Sequence, residues 1–145
     1  MKSGRVPVIL LPGEITATKG YLRFIQLMPA LIKQCGPVEV FIPGKFKRTL
    51  HEEYRSDFLK ALAASPFKKR LKREQLDYAN ADIVVLPFEA GRSIVEFNAA
   101  VKSGKPLICS DLLIFRKAAA GKKRVTIIDN EEKLISAIAK QLKGL

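Results

Sequence analysis

The sequence predicts an α/β fold, with a parallel sheet covered by helices on both faces. Two observations carry this. Residues 6–11 (VPVILL), 38–42 (VEVFI), 82–86 (DIVVL), 106–109 (PLIC) and 125–128 (VTII) are apolar runs of strand length, rich in branched residues. Such runs suit strands buried on both faces. Between them lie segments with the period of a helix, and that alternation is the mark of parallel strands joined by helical crossovers. A chain of 145 residues has the size of one domain, so residues 1–145 read as a single unit.

The elements follow in order. Pro12-Gly13 ends the first strand. The next segment is helical, with Leu22, Ile25, Leu27, Met28, Leu31 and Ile32 on its apolar face. Pro29 marks a kink or a break in it. Gly36-Pro37 stops it, and Pro43-Gly44 closes the second strand. Residues 51–64 read as a helix with Tyr54, Phe58, Leu59 and Leu62 on one side. Residues 68–80 are basic and read mainly as helix, with Leu71, Leu76 and Tyr78 inward, although a weak third strand over 65–71 fits the same stretch. Helices are expected over 93–103 and 113–120, ended by Gly104 and Gly121. Asp129 or Asn130 caps the last helix, whose first turn holds Glu131 and Glu132, where carboxylates suit the helix dipole. Leu134, Ile135, Ile138 and Leu142 form its inner face.

Composition narrows the class. Hydrophobic residues make up 48% and charged residues 28%, a globular balance. No apolar run approaches the roughly 18 residues of a spanning helix. The opening MKSGRVPVILLPGE is too short for a secretory signal and has no small-residue cleavage site, so it reads as the first strand. Cys35 and Cys109 lie in apolar surroundings and read as buried free thiols of a reducing cytoplasm. One histidine and two cysteines without close spacing argue against a zinc site, and no metal is expected. The net charge of +12 favours an anionic partner: phosphate, nucleic acid or an anionic membrane surface. The cations cluster at Lys45, Lys47 and Arg48, at Lys68, Lys69, Arg70, Lys72 and Arg73, and at Lys122, Lys123 and Arg124. The lysine-rich solvated surface of a heat-adapted protein has the same composition. Nucleic acid is the weaker expectation, since tryptophan is absent and no reader motif is present.

Ligands of parallel α/β sheets bind outside the carboxyl ends of the strands. That rule selects the loops at 12–19, 43–48 and 87–93. In the first, Gly13 permits close backbone approach, and Lys19 offers a positive charge at a helix start. Read alone, it is also an ordinary turn with a solvated lysine. The second, Gly44-Lys45-Phe46-Lys47-Arg48, either flanks a phosphate or is a surface turn. The third places Gly91, Arg92 and Ser93 at a helix start, a cradle for a diphosphate. Glu89 lies on that loop and Glu96 about one turn into the helix. Two carboxylates beside a phosphate cradle suit the hydroxyls of a sugar nucleotide; as isolated residues, Glu89 is surface and Glu96 pairs with a neighbouring cation.

Residues 81–87 (ADIVVLP), Glu96, Ala99-Ala100, residues 103–108 (SGKPLI) and Ser110-Asp111 occur in this order, with Gly13 and Lys19-Gly20 upstream. The pattern resembles the C-terminal donor domain of glycosyltransferase family 4, of the GT-B class, which reads ADIFVLPS, EGFG, Glu, Ala-Met-Ala, Ser-Gly-Lys-Pro-Val-Ile and Ser-Asp. The resemblance implies a Rossmann-like sheet forming the C-terminal half of a GT-B fold. It implies that Lys19 contacts the donor diphosphate together with Gly91 and the neighbouring backbone, that Glu96 binds the ribose, and that Glu89 contacts the transferred sugar. Transfer would proceed with retention and without a metal, the departing nucleoside diphosphate being stabilised electrostatically.

There are departures from the family pattern. Glu14 stands where the family has a phosphate-binding arginine, with Arg92 as a replacement positive charge. Six residues separate Glu89 from Glu96 where the family has seven, and Arg116 lies near the position of a usual glutamate. His51, the sole histidine, has no counterpart to the catalytic histidine of the acceptor half.

The expectation is therefore a nucleotide-sugar binding domain of a retaining glycosyltransferase without its acceptor-binding half. Its substrate would be a UDP-, GDP- or ADP-sugar, with no other cofactor. It would work with a separate acceptor-binding subunit, in the cytoplasm, with peripheral contact to an anionic membrane. The alternative is a degenerate, non-catalytic nucleotide- or anion-binding regulatory module.

Overall fold

The computed structural model describes residues 6–65, 68–70, 78–91 and 93–144, with residues 68–70 described by their backbone. Among the described residues six parallel strands form one sheet: β1 (Val8–Leu10), β2 (Glu39–Phe41), β3 (Lys68–Arg70), β4 (Ile83–Leu86), β5 (Leu107–Ser110) and β6 (Val125–Ile128). Their order is β3-β2-β1-β4-β5-β6. Register runs Ile9 to Val40 on one side of β1 and Ile9 to Ile83 on the other. The chain builds outward from β1 in one direction and then, from β4, in the other. Right-handed crossovers therefore put the first two helices on one face and the helices after β4 and β5 on the opposite face, while the last helix, after the edge strand β6, returns to the first face.

On the first face α1 (Tyr21–Cys35) packs against α2 (Glu52–Ala64) and α5 (Glu131–Lys143). On the other, α3 (Val95–Ser103) and α4 (Leu113–Ala119) meet through stacked Phe97 and Phe115, whose ring centres lie 5.4 Å apart. The apolar runs explain the sheet: every residue of β1, β2 and β4 is buried. At the foot of β4, buried Asp82 accepts a 2.7 Å hydrogen bond from the Val8 amide, closing the start of β1 onto β4.

Four local expectations are corrected. Helix α1 runs unbroken through Pro29, which lies on its exposed side. Its buried face includes Tyr21 and Phe24, with Leu22 and Leu27 only partly covered. Leu59 of α2 is 49% exposed. Residues 68–70 form a strand, in agreement with the alternative strand over 65–71 and in place of the helix; the helix expected over residues 71–77, with Leu71 and Leu76, lies outside the described residues. A Lys-Lys-Arg strand has no apolar signature, but it occupies a sheet edge, where charge discourages further pairing.

The caps follow the sequence. The Asn130 side chain accepts from the Lys133 amide at 2.8 Å, and His51 Nδ1 accepts from the Glu53 amide at 3.3 Å. Cys35 and Cys109 are free thiols. Burial pushes Cys109 up to about 12, and Cys109 is the more deeply buried of the two. No helix among the described residues is long and apolar enough to cross a membrane.

Candidate functional site at the sheet reversal

Strand order reverses between β1 and β4, and the loops leaving these two strands open a crevice there. The β1 loop is pinned from both sides. Ile15 pairs with the β2 loop, its amide donating to the Lys45 carbonyl at 2.8 Å and its carbonyl accepting from Lys47 at 2.9 Å. On the other side the Thr18 carbonyl accepts from the Glu89 amide at 2.7 Å. Buried Tyr21 donates its hydroxyl to the Pro12 carbonyl and so ties α1 to the end of β1. The second loop is thus a neighbour of the first, with Lys45, Lys47 and Arg48 exposed along it.

Gly13 sits at φ +82°, and a Cβ there would lie 2.5 Å from Glu96 Oε1 and 2.7 Å from Lys19 Nζ. Only glycine suits both the backbone angle and that proximity. Gly44 approaches from the β2 loop so closely that a Cβ would overlap the Gly13 carbonyl. Across the corner Lys19 Nζ donates to Glu96 Oε1 at 2.8 Å, and the side chains are only 14% and 16% exposed. Lys19 also stands 5.8 Å from the centre of the Phe88 ring. Two phenols share the field of Glu96. Tyr21 is raised well above the usual range, first by burial and then by Glu96. Tyr78 is pushed up to about 12 by the same two causes in the same order. Both remain protonated donors at neutral pH.

Gly13, Lys19 and Glu96 are therefore brought to one point from positions far apart in sequence. Glu89 is exposed on the neighbouring wall. Gly91 and Ser93 are exposed at the entry to α3, which starts two residues later than expected because the Ser93 hydroxyl accepts from the Val95 amide at 3.3 Å. Arg92 lies outside the described residues. Glu14 is exposed on the β1 loop. Arg116 grips Asp111 bidentately, holding that carboxyl below the usual carboxylate range. His51 is used as a helix cap. Among the described residues no three metal-ligating side chains converge.

A cleft of about 550 Å³ adjoins this corner through Gly20, Pro87, Phe88 and Glu89 and continues along the carboxyl ends of β5 and β6. Arg23, Asp129 and Glu131 belong to its rim, and sequence reading missed them. A helix period shows that Arg23 faces outward, but not that the start of α5 lies opposite. Tyr21 and Tyr78 were missed as site residues for the same reason, and Gly44 was read in a candidate loop without its contact to Gly13.

A parallel sheet in this order, with helices on both faces, is a Rossmann-like fold, and it is shared with domains of solved glycosyltransferases. Among solved structures it superimposes on WaaG, a glycosyltransferase involved in lipopolysaccharide biosynthesis, with a TM-score of 0.72 and 18% identity, over 97% of this chain and 39% of WaaG. It matches the C-terminal domain of LpcC, a glycosyl transferase group 1 family protein from Francisella tularensis, with a TM-score of 0.60 and 16% identity, over 99% of this chain and 78% of that one. It also matches the molybdenum cofactor carrier protein of Chlamydomonas reinhardtii, with a TM-score of 0.61 and 16% identity, over 96% of this chain and 99% of that one. At these identities the likeness is one of fold. No protein-family model matches the sequence, and no curated protein matches it. The chain spans 39% of the length of WaaG, a part rather than the whole of that enzyme.

Proposed function

We propose that this chain is the nucleotide-sugar donor domain of a retaining glycosyltransferase, close to family 4, and that its acceptor site is supplied by another domain or subunit. The observation that carries the reading is the Gly13, Lys19 and Glu96 corner at the sheet reversal. Lys19 would turn from Glu96 to the diphosphate of a UDP-, GDP- or ADP-sugar. Glu96 would then be released to accept the ribose hydroxyls. Backbone amides of Gly13, Gly91 and Ser93 would hold phosphate oxygens. Glu89, on the adjoining wall, would meet the sugar. Charge developing on the departing nucleoside diphosphate is stabilised by Lys19 and those amides, with Arg92 as a further cation. The reading carries a cytoplasmic location, with the basic surface available to an anionic membrane.

Calorimetric titration of the chain with UDP, GDP, ADP and their sugar conjugates tests this. One nucleotide should bind saturably, and Lys19→Ala and Glu96→Ala should each weaken it at least about tenfold, or about 1.4 kcal/mol. Failure of a folded chain to bind any of them would sink the donor reading and leave the non-catalytic module in its place.

A further inference from the structure

We propose that the cleft between α1 and α5 seats the transferred sugar and that it selects a neutral, hydroxyl-rich ring against one bearing a carboxylate or phosphate. This rests on the donor reading above and adds the substrate class.

The cleft is lined by Gly20, which follows Lys19 in the chain, and by Phe88, whose ring centre lies 5.8 Å from Lys19 Nζ, so a group attached to a diphosphate held at Lys19 is within reach of it. Its volume of about 550 Å³ falls within the roughly 300–1,000 Å³ of small-molecule sites. The lining has two characters. Phe24, Leu27, Phe88 and Leu134 offer an apolar surface for the C–H face of a ring. Among the described residues the polar part holds four carboxylates, Glu89, Asp111, Asp129 and Glu131, against one cation, Arg23.

That cation is already engaged: Arg23 Nη2 donates to Glu131 Oε1 at 2.8 Å, and Nε donates to the other oxygen. Lys133 stands 3.0 Å from Asp129, and Arg116 holds Asp111. These ion pairs hold Asp111, Asp129 and Glu131 in place while leaving lone pairs for hydroxyl donors. An anionic ring would place a further negative charge among them, with Arg23, the one cation of the lining among the described residues, already taken. On the far side of the β1 loop the hollow is about 140 Å³ and is lined by Ile15, Ile42, Phe46, Phe58 and other residues, none of them a carboxylate. The hydroxylated end of a donor therefore finds its acceptors on the cleft side.

The test is calorimetry on the full chain with three ligands: the free nucleoside diphosphate that binds, its glucose conjugate and its glucuronate conjugate. The wild type should bind the glucose conjugate at least threefold more tightly than the free nucleotide, and the glucuronate conjugate about tenfold more weakly than the glucose one. The exposed double change Asp129→Asn with Glu131→Gln should leave the free nucleotide unaffected and bring the two conjugates within about threefold of each other. Equal affinity of the wild type for both conjugates would overturn the proposal, as would discrimination unchanged by the double variant. Loss of free-nucleotide binding in that variant would assign the cleft to the nucleotide and overturn it too. Absence of binding by every nucleotide is a different result: the donor reading then fails and the sugar assignment falls with it.

Discussion

Lys19 pairs with Glu96, and four residues further on Arg23 pairs with Glu131, yet the two pairs sit in different surroundings. Lys19 and Glu96 lie in a corner closed by Gly13, with Phe88 beside them, and are 14% and 16% exposed. Arg23 and Glu131 bridge the rim of the cleft at 54% and 46% exposure, with the better bidentate geometry. Geometry and energetic weight thus run in opposite directions. A cation shielded from water depends on its partner, whereas water and salt screen an exposed pair however well aligned it is. The first pair is an internal counter-charge that a ligand must displace. The second is a surface clasp that sets the shape and charge of the cleft.

The contrast can be broken most severely from the far side of the corner. Gly44→Ala puts a Cβ into the Gly13 carbonyl, and neither backbone can yield without moving the β1 loop. We expect a loss of about 2–3 kcal/mol in denaturant unfolding, in the range of overpacked sites, together with loss of nucleotide binding. Glu96→Ala removes one member of the shielded pair and leaves Lys19 without its counter-charge. The expected loss is about 1–2 kcal/mol, between the values for surface and fully buried pairs, and Lys19→Met together with Glu96→Ala should recover part of it. Should Glu96→Ala prove neutral while the Lys19 charge is retained, the corner is wetter than its burial implies.

The smallest effect belongs to the exposed clasp. Arg23→Ala should leave the unfolding midpoint unchanged at high salt. Its signature is a titration: the hydrogen bond from Arg23 holds Glu131 below the ordinary carboxylate range. A lowered folded pKa stabilises the fold above the unfolded carboxylate value and is lost as pH falls through the folded value. Nuclear magnetic resonance should show the Glu131 carboxyl titrating low in the wild type and returning to the ordinary range in Arg23→Ala. An unmoved titration would mean that the clasp does not persist in solution.

Legibility in the sequence tracked the kind of force involved. β4, α3 and β5 were readable because an apolar run, a helix period and a closing Gly104 are local signals. The Asn130 cap and the acidic first turn of α5 were readable for the same reason. β3 offered a competing reading because Lys-Lys-Arg carries no hydrophobic signal, and its strand character comes from pairing with β2. The inner face of α1 was read partly off its true axis. Tyr21 and Phe24 continue the i, i+3, i+4 stripe of Ile25, Met28 and Leu31, so the true axis lies in the helix period of the segment itself. Within the candidate site, Gly13, Lys19, Glu89, Gly91, Ser93 and Glu96 were singled out by type and position after strands, but their grouping was not legible. Lys19 meets Glu96 across 77 positions, while Glu89, nearer in sequence to Glu96, lies on another wall.

By itself, then, the sequence determined the class of fold, most of the elements, and which loops face the carboxyl edge of the sheet. These depend on periodicity, turn chemistry and the handedness of crossovers, all of which act over short stretches of chain. Only the tertiary structure decided that Gly44 supports Gly13, that Glu96 is the partner of Lys19, and that Arg23 meets Glu131 over a cleft shared with Glu89. Those pairings are set by strand order and helix packing, and a contact between distant segments leaves no periodic trace in either one.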